Sequence, residues 1–228
     1  MLDNEKFLSR NIIEIGLSPE IKWPGKGEQI VIVGPALSGK TEKLAYLLDK
    51  VRFPKNKGYL LFSVNNEGKY GRTKIRPFNG SPKQELDAIA VFKPEQIVQS
   101  INKLPICKRV IGIDNVHLFR EEFDATLLEK EEPKKIGLGV VDLCNALFQR
   151  GFRVIVTGTD LNWQGFPQRN VLDIVAFSTE VHKLDAICDC GQKAFRSQLI
   201  INNNKESFKP VCFEHWNPNF PNIENSIG

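Results

Sequence analysis

The octapeptide GPALSGKT, Gly34 to Thr41, fits the spacing G-x-x-x-x-G-K-[ST], which suits the binding of a phosphate chain. In such a loop the backbone N–H groups turn inward on phosphate oxygens. Side chains at Gly34 and Gly39 would obstruct them, and Pro35, Ala36, Leu37 and Ser38 supply the rest of the cradle. Lys40 then reaches the outer phosphates, and the Thr41 hydroxyl is a magnesium ligand. A second acid must hold the metal's water shell, and RVIGID (109–114) delivers Asp114 after an apolar run. Beside it stands Asn115, an amide that accepts a hydrogen bond but no proton at neutral pH. Near the C-terminus, CDC (188–190) and CFEH (212–215) offer Cys188, Cys190, Cys212 and His215, a thiolate and imidazole set suited to tetrahedral zinc. Cys107 and Cys144 lie in apolar surroundings and read as packing residues.

The elements that must position these groups follow from apolar runs. IVIVG (30–34) enters the glycine loop as a strand, and TEKLAYLLDKV (41–51) leaves it as a helix. YLLFSV (59–64), RVIGID and RVIVTG (153–158) are further β-branched runs without polar alternation, which suits strands buried on both faces of a parallel sheet. In VVDLCNALFQRG (140–151), Val140, Leu143, Cys144 and Leu147 fall at helical spacing, and the closing glycine suits a helix stop. The alternation predicts an α/β fold with right-handed crossovers. WPGKGE (23–28) reads as a hinge into the first strand, and the proline-broken run LEKEEPKKIGLG (128–139) as a surface excursion. The tail from residue 185 reads as a small appended lobe, and His182 as solvent-facing or packed on a helix.

With 228 residues, 41% hydrophobic and 25% charged, the chain supports one sizeable core plus an appendage. Its net charge of +4 is spread among 27 acids rather than gathered in a stripe, which argues against nucleic acid as partner. No run approaches a membrane span, and the polar start MLDNEKFLSR is unlike a signal peptide. Five scattered cysteines do not form a disulfide framework. The expectation is a soluble, cytoplasmic protein with no membrane partner.

Four ordered blocks resemble the thymidine kinases of the cellular and poxviral type. GPALSGKT is similar to the family's GPMFSGKT, VIGIDNVHLF to VIGIDEAQFF, GFRVIVTGTDLNWQGFP to G-x-x-VIVAGLD-x-DFRG-x-P, and EVHKLDAIC to a segment ending KL-x-AIC. A weaker block, NNEGKYGRTKIRPFNG (65–80), resembles D-x-RYG…I-x-SHNG, with Lys69 in place of arginine and Phe78 in place of histidine.

The resemblance implies a P-loop NTPase-type parallel sheet flanked by helices, with a small C-terminal zinc-binding lasso domain. It divides the chain into an N-terminal extension (1–28), a kinase domain (29–184) and a lasso with its tail (185–228). It further implies transfer of the ATP γ-phosphoryl to the 5′-hydroxyl of thymidine or a related deoxynucleoside, with magnesium and zinc bound. Gly34 to Thr41, Glu67, Gly68, Lys69, Asp114, Asn115, Val116 and His117 would then line the ATP site. Leu118, Trp163 and Phe208 would contact the nucleoside, and Lys40 and Asn115 would occupy the catalytic positions.

Here Asn115 stands where the family carries its catalytic glutamate, whose base assistance is typically worth ~10²–10⁴-fold. His117, Glu121 and Asp160 are the substitute bases nearest in sequence. Leu118, Trp163 and Gln168 each stand where the family has phenylalanine, and Phe208 where it has tyrosine. Family members are commonly tetrameric, so a homo-oligomer is expected. The alternative is a non-catalytic ATP-binding member of the same fold with a regulatory or structural role.

Overall fold

The computed structural model describes residues 17–18, 25–50, 58–65, 68, 70–76, 85–103, 109–119, 139–202, 205–219 and 222–223. Its centre is a sheet of seven strands: β1 (Glu28–Val33), β2 (Tyr59–Val64), β3 (Gly71–Ile75), β4 (Leu86–Val91), β5 (Val110–Asp114), β6 (Arg153–Gly158) and β7 (Glu180–Lys183). They lie in the order β3-β4-β2-β5-β6-β1-β7. Only β3, antiparallel to β4, departs from parallel pairing. The expected parallel sheet is therefore present, and β1, β2, β5 and β6 coincide with the four apolar runs. β1 begins at Glu28, one residue inside the stretch assigned to the extension.

Four helices flank the sheet among the described residues: α1 (Lys40–Asp49), α2 (Pro94–Asn102), α3 (Val140–Gln149) and α4 (Arg169–Phe177). Alternate residues of each strand face opposite sides. On one side Ile30, Ile32, Leu61 and Ile155 pack with Leu44, Leu47 and Leu48 of α1. On the other, Val31, Val33, Phe62, Ile111, Ile113, Val154 and Val156 pack with Ile97, Leu143, Leu147 and Ile174 of the remaining helices. Leu44 and Leu48 are fully buried, and each contributes roughly 1.5–3 kcal/mol relative to exposure. The Cys144 thiol is buried in the second layer and pushed up to about 12 by that burial, as a packing residue should be. α3 stops at Gly151, where φ is +81°.

Part of the N-terminal extension belongs to the core: Leu17 is buried there, and the Arg150 guanidinium donates to the Ser18 and Leu17 carbonyls. His182 lies on β7 opposite Ile32 and is partly exposed, because the edge strand next to β1 continues through EVHK. Cys107, Glu121 and residues 128–138 of the charged excursion fall outside the described residues, and no described helix is long and apolar enough to cross a membrane.

After β7 the chain forms the hairpin β8 (Ala186–Ile187) and β9 (Lys193–Ala194). It continues into the antiparallel pair β10 (Arg196–Asn202) and β11 (Lys205–Val211), with β12 (Asn222–Ile223) parallel to β10.

Candidate active site

In an open parallel sheet, ligands sit beyond the carboxyl ends of the strands. Here β1 ends in the glycine loop, β5 in Asp114, and β6, which lies between them, in Thr157 and Gly158. The loop is constrained from outside. At Gly34 φ is +153°, and a Cβ would lie 2.6 Å from the Leu184 carbonyl oxygen and 2.8 Å from Ser38 Oγ, so a side chain would collide with the chain leaving β7. Leu37 takes φ +58°, a conformation uncommon for a branched residue and of the kind stored at ligand clamps. The Ala36 N–H donates to Ser197 Oγ of β10 at 2.9 Å, tying the loop to the C-terminal strands.

Lys40 is buried and turns back to donate to the Pro35 carbonyl at 2.5 Å. Burial pulls its pKa down to about 8, against the opposing charges of Asp114, Asp160 and Glu42. A phosphate chain in the loop would restore the charge by pairing with it. Thr41 Oγ1 donates to Asp114, 3.3 Å from either carboxylate oxygen. Thr157 Oγ1 donates to Asp114 Oδ1 at 2.5 Å and accepts the Asn115 N–H at 3.0 Å. Burial lifts the Asp114 pKa, while bonds from Thr157 and Thr41 and the charge of Lys40 oppose the rise. A hydroxyl and a buried carboxylate in hydrogen-bond reach form a hard-oxygen pair that suits magnesium, which keeps several waters and takes few protein ligands.

Asn115 sits in the left-handed region, φ +64° and ψ +44°, which asparagine tolerates better than most residues. Its Nδ2 donates to Asp114 Oδ2 at 3.3 Å, a bond that a glutamate could not make. Of the substitute bases, His117 accepts the Thr159 N–H on Nδ1 at 3.3 Å, and burial followed by the charge of Lys40 pushes its pKa down to about 4. It is neutral at pH 7 and a weak proton acceptor. Asp160 is buried, acts on Lys40 through its charge, and pairs with Lys183 Nζ at 3.0 Å.

The expected nucleoside contacts come from three separate elements. Leu118, in the short 3₁₀ turn Val116–Leu118, packs against the core. Trp163 is half-buried in the loop after β6, and Phe208 is exposed on β11 opposite Leu199. Gln168 precedes α4 and donates its N–H to the Asp160 carbonyl at 2.9 Å. Val116 is buried in the core, and Gly68 takes φ +68°. Glu67 and Lys69 fall outside the described residues.

Cys188, Cys190, Cys212 and His215 converge, their ligand atoms all within 4.8 Å of one another. Zn–S bonds near 2.3 Å in a tetrahedron put sulfurs roughly 3.8 Å apart; Cys190 Sγ and Cys212 Sγ are 3.7 Å apart. His215 Nδ1 lies 3.3 Å from Cys212 Sγ and 3.6 Å from Cys188 Sγ. Backbone N–H groups of Cys190 and then Cys212 hold the Cys188 thiol down to about 6, toward the thiolate a metal needs. The C-x-C spacing works because the chain turns between β8 and β9, with the Gly191 N–H on the Cys188 carbonyl at 2.8 Å. The donor set therefore fits zinc.

Thr157, Ser197 and Trp216 escaped the sequence reading. Each meets the site through a bond between residues distant in sequence, and their only local signal is a polar group in an apolar strand or an aromatic beside a ligand.

The sheet, the loop after β1 and the acid after β5 define an α/β protein of the P-loop class. A family model described as thymidine kinase matches residues 27–216. The chain is also 33% identical, over 181 residues, to proteins named thymidine kinase from two strains of Chloroflexus aurantiacus, J-10-fl and Y-400-fl; the match covers 78% of this chain and 82% of each relative. The chain belongs to the thymidine kinase family.

Proposed function

We propose that the protein is an ATP-dependent thymidine kinase, transferring the γ-phosphoryl group to the nucleoside 5′-hydroxyl in deoxynucleoside salvage. The observation that carries the reading is the joined set Lys40, Thr41 and Asp114 at the mouth of an intact phosphate loop in a chain of this family. Phosphoryl transfer needs chiefly positioning and charge stabilisation. Magnesium, held by Thr41 and Asp114, would supply charge at the phosphate oxygens. The loop N–H groups and Lys40 orient the phosphates and neutralise the charge that spreads over them. Gly68 and His117 flank the ATP, while Leu118, Trp163 and Phe208 hold the nucleoside.

Asn115 is a positioning group rather than a base. Its Nδ2 is committed to Asp114, so Oδ1 is free to accept the 5′-hydroxyl hydrogen bond without removing the proton. A loose transition state needs little early deprotonation, and the reaction proceeds slowly. Residues 29–184 form the kinase unit and 185–228 the zinc-bearing lasso of a cytoplasmic homo-oligomer.

A second reading, a non-catalytic ATP-binding member, draws on the same turn of Asn115 toward Asp114. Zinc-loaded protein incubated with magnesium-ATP and labelled thymidine separates them. Thymidine monophosphate above a Lys40→Ala control supports the kinase; none above it overturns it. Gain of rate in Asn115→Glu would show that the rest of the site is competent.

A further inference from the structure

Trp216 follows His215 directly and reaches out of the Cys/His knuckle. Its indole Nε1–H donates to the Trp163 carbonyl at 2.9 Å. Its six-membered ring closes over Gly165, where φ is +85° and a Cβ would meet Cζ2 at 2.6 Å and Cη2 at 2.7 Å. The receiving loop is itself tight. Asn162 N–H donates to the Phe166 carbonyl at 2.8 Å, Gly165 N–H to the Asn162 carbonyl at 3.0 Å, and Phe166 N–H to the Asn162 side chain at 2.9 Å. Leu161 bridges Pro167, closing the turn that starts at Asp160.

On the knuckle side the indole is gripped as firmly. It packs against the cluster of Ala186, Cys188, Ala194, Val211 and Cys212, which includes two of the four metal-type ligands. The Arg196 guanidinium lies 5.4 Å from its ring, and the Asn217 N–H donates to the buried Gln198 side chain at 2.9 Å. An indole that only filled the small lobe would need no polar contact with a loop 53 residues earlier.

We propose that Trp216 is a positioning residue that transmits metal occupancy of the Cys188, Cys190, Cys212 and His215 cluster to the 160–168 loop. A bound metal fixes Cys212 and His215 at bonding distance, and the next residue carries that constraint into the loop. Without the metal the knuckle keeps only its hydrogen bonds and apolar packing, and the loop relaxes with it. The consequence for nucleoside binding rests on the reading of Trp163 as a nucleoside contact.

The test uses the full-length, zinc-loaded protein with Trp216→Ala and Trp216→Phe. The second variant keeps a ring and removes the N–H, and it carries the test if the first fails to fold. Hydrogen–deuterium exchange is followed at the amides of residues 161–166 and 168 before and after chelation, alongside zinc content and calorimetric binding of thymidine and magnesium-ATP. Loss of one part-buried hydrogen bond and its packing predicts exchange roughly tenfold faster in Trp216→Ala with zinc retained, and less in Trp216→Phe. Thymidine affinity should fall by a similar factor while ATP affinity stays within about twofold. Chelation should speed the loop in the wild type and add nothing in Trp216→Ala, as coupled perturbations do. Unchanged exchange in both variants, or equal acceleration by chelation in wild type and variant, overturns the proposal. Failure of wild-type protein to bind thymidine defeats the nucleoside reading alone, because the exchange pattern still decides the coupling.

Discussion

Thr157→Val isolates one hydroxyl at the centre of the site. The residue is fully buried, and valine has nearly its shape, so no cavity is opened. The substitution removes the donor to Asp114 Oδ1 and the acceptor of the Asn115 N–H. A hydrogen bond to a charged group is worth roughly 1.5–3 kcal/mol, and an orphaned buried N–H costs roughly 1–3 kcal/mol. The added methyl offsets about 0.8 kcal/mol. The expected net loss is about 3 kcal/mol at pH 8, or roughly 6–12 °C in Tm for a chain of this size.

The loss depends on pH. Burial raises the Asp114 pKa above its unfolded value, and the Thr157 bond is the largest restraint on that rise. A carboxyl whose folded pKa is raised is unpenalised below the unfolded value, about 3.9, and destabilises the fold as pH climbs through the folded value. Without the Thr157 bond the folded pKa rises further, so the variant's deficit should shrink on acidification. Urea denaturation of zinc-loaded, magnesium-free wild type and variant at pH 8 and pH 5 measures both effects. A deficit below about 0.5 kcal/mol at pH 8, or one that grows on acidification, refutes the reasoning.

Lys40, with its pKa pulled down to about 8, should lose charge between pH 7 and pH 9, so ATP affinity measured calorimetrically should weaken across that window and the dependence should vanish in Lys40→Arg. Gly34→Ala places a methyl 2.6 Å from the Leu184 carbonyl and should cost about 2–4 kcal/mol in thermal or urea unfolding, with ATP binding lost. Cys212→Ser should remove the bound zinc, read by metal analysis at one ion per wild-type chain, and lower Tm by several degrees while Lys40 and the sheet remain intact.

How far the fold was legible depends on burial. β1, β5 and β6 are buried almost throughout, so their apolar runs identify them. β3 (GRTKI) and β7 (EVHK) are edge strands with exposed polar residues; pairing rather than hydrophobicity makes them strands, and no run announces them. β4 is half-buried, and LDAIAV mixes its signals in the same way. Lys40 and Thr41 were readable because the loop motif requires them at fixed spacing, and Asp114 because an acid ends the apolar run RVIGID. Thr157 meets Asp114 across 43 residues, and Ser197 meets Ala36 across 161; register and folding bring these pairs together, and neither is written in local spacing. The αL conformation of Asn115 is likewise a tertiary fact, although it explains why an amide is comfortable at that turn.

The position of β1 between β6 and β7 carries a consequence for how the protein is made. β1 leaves the ribosome well before both its neighbours, which lie beyond residue 152, and the contact from Ser197 to its loop comes later still. Nascent chains that have not reached Arg153 therefore hold an apolar strand with two unpaired edges, a template for aggregation that non-local parallel pairing is slow to remove. The segment that would grip the phosphates is thus synthesised well before the strands that complete it.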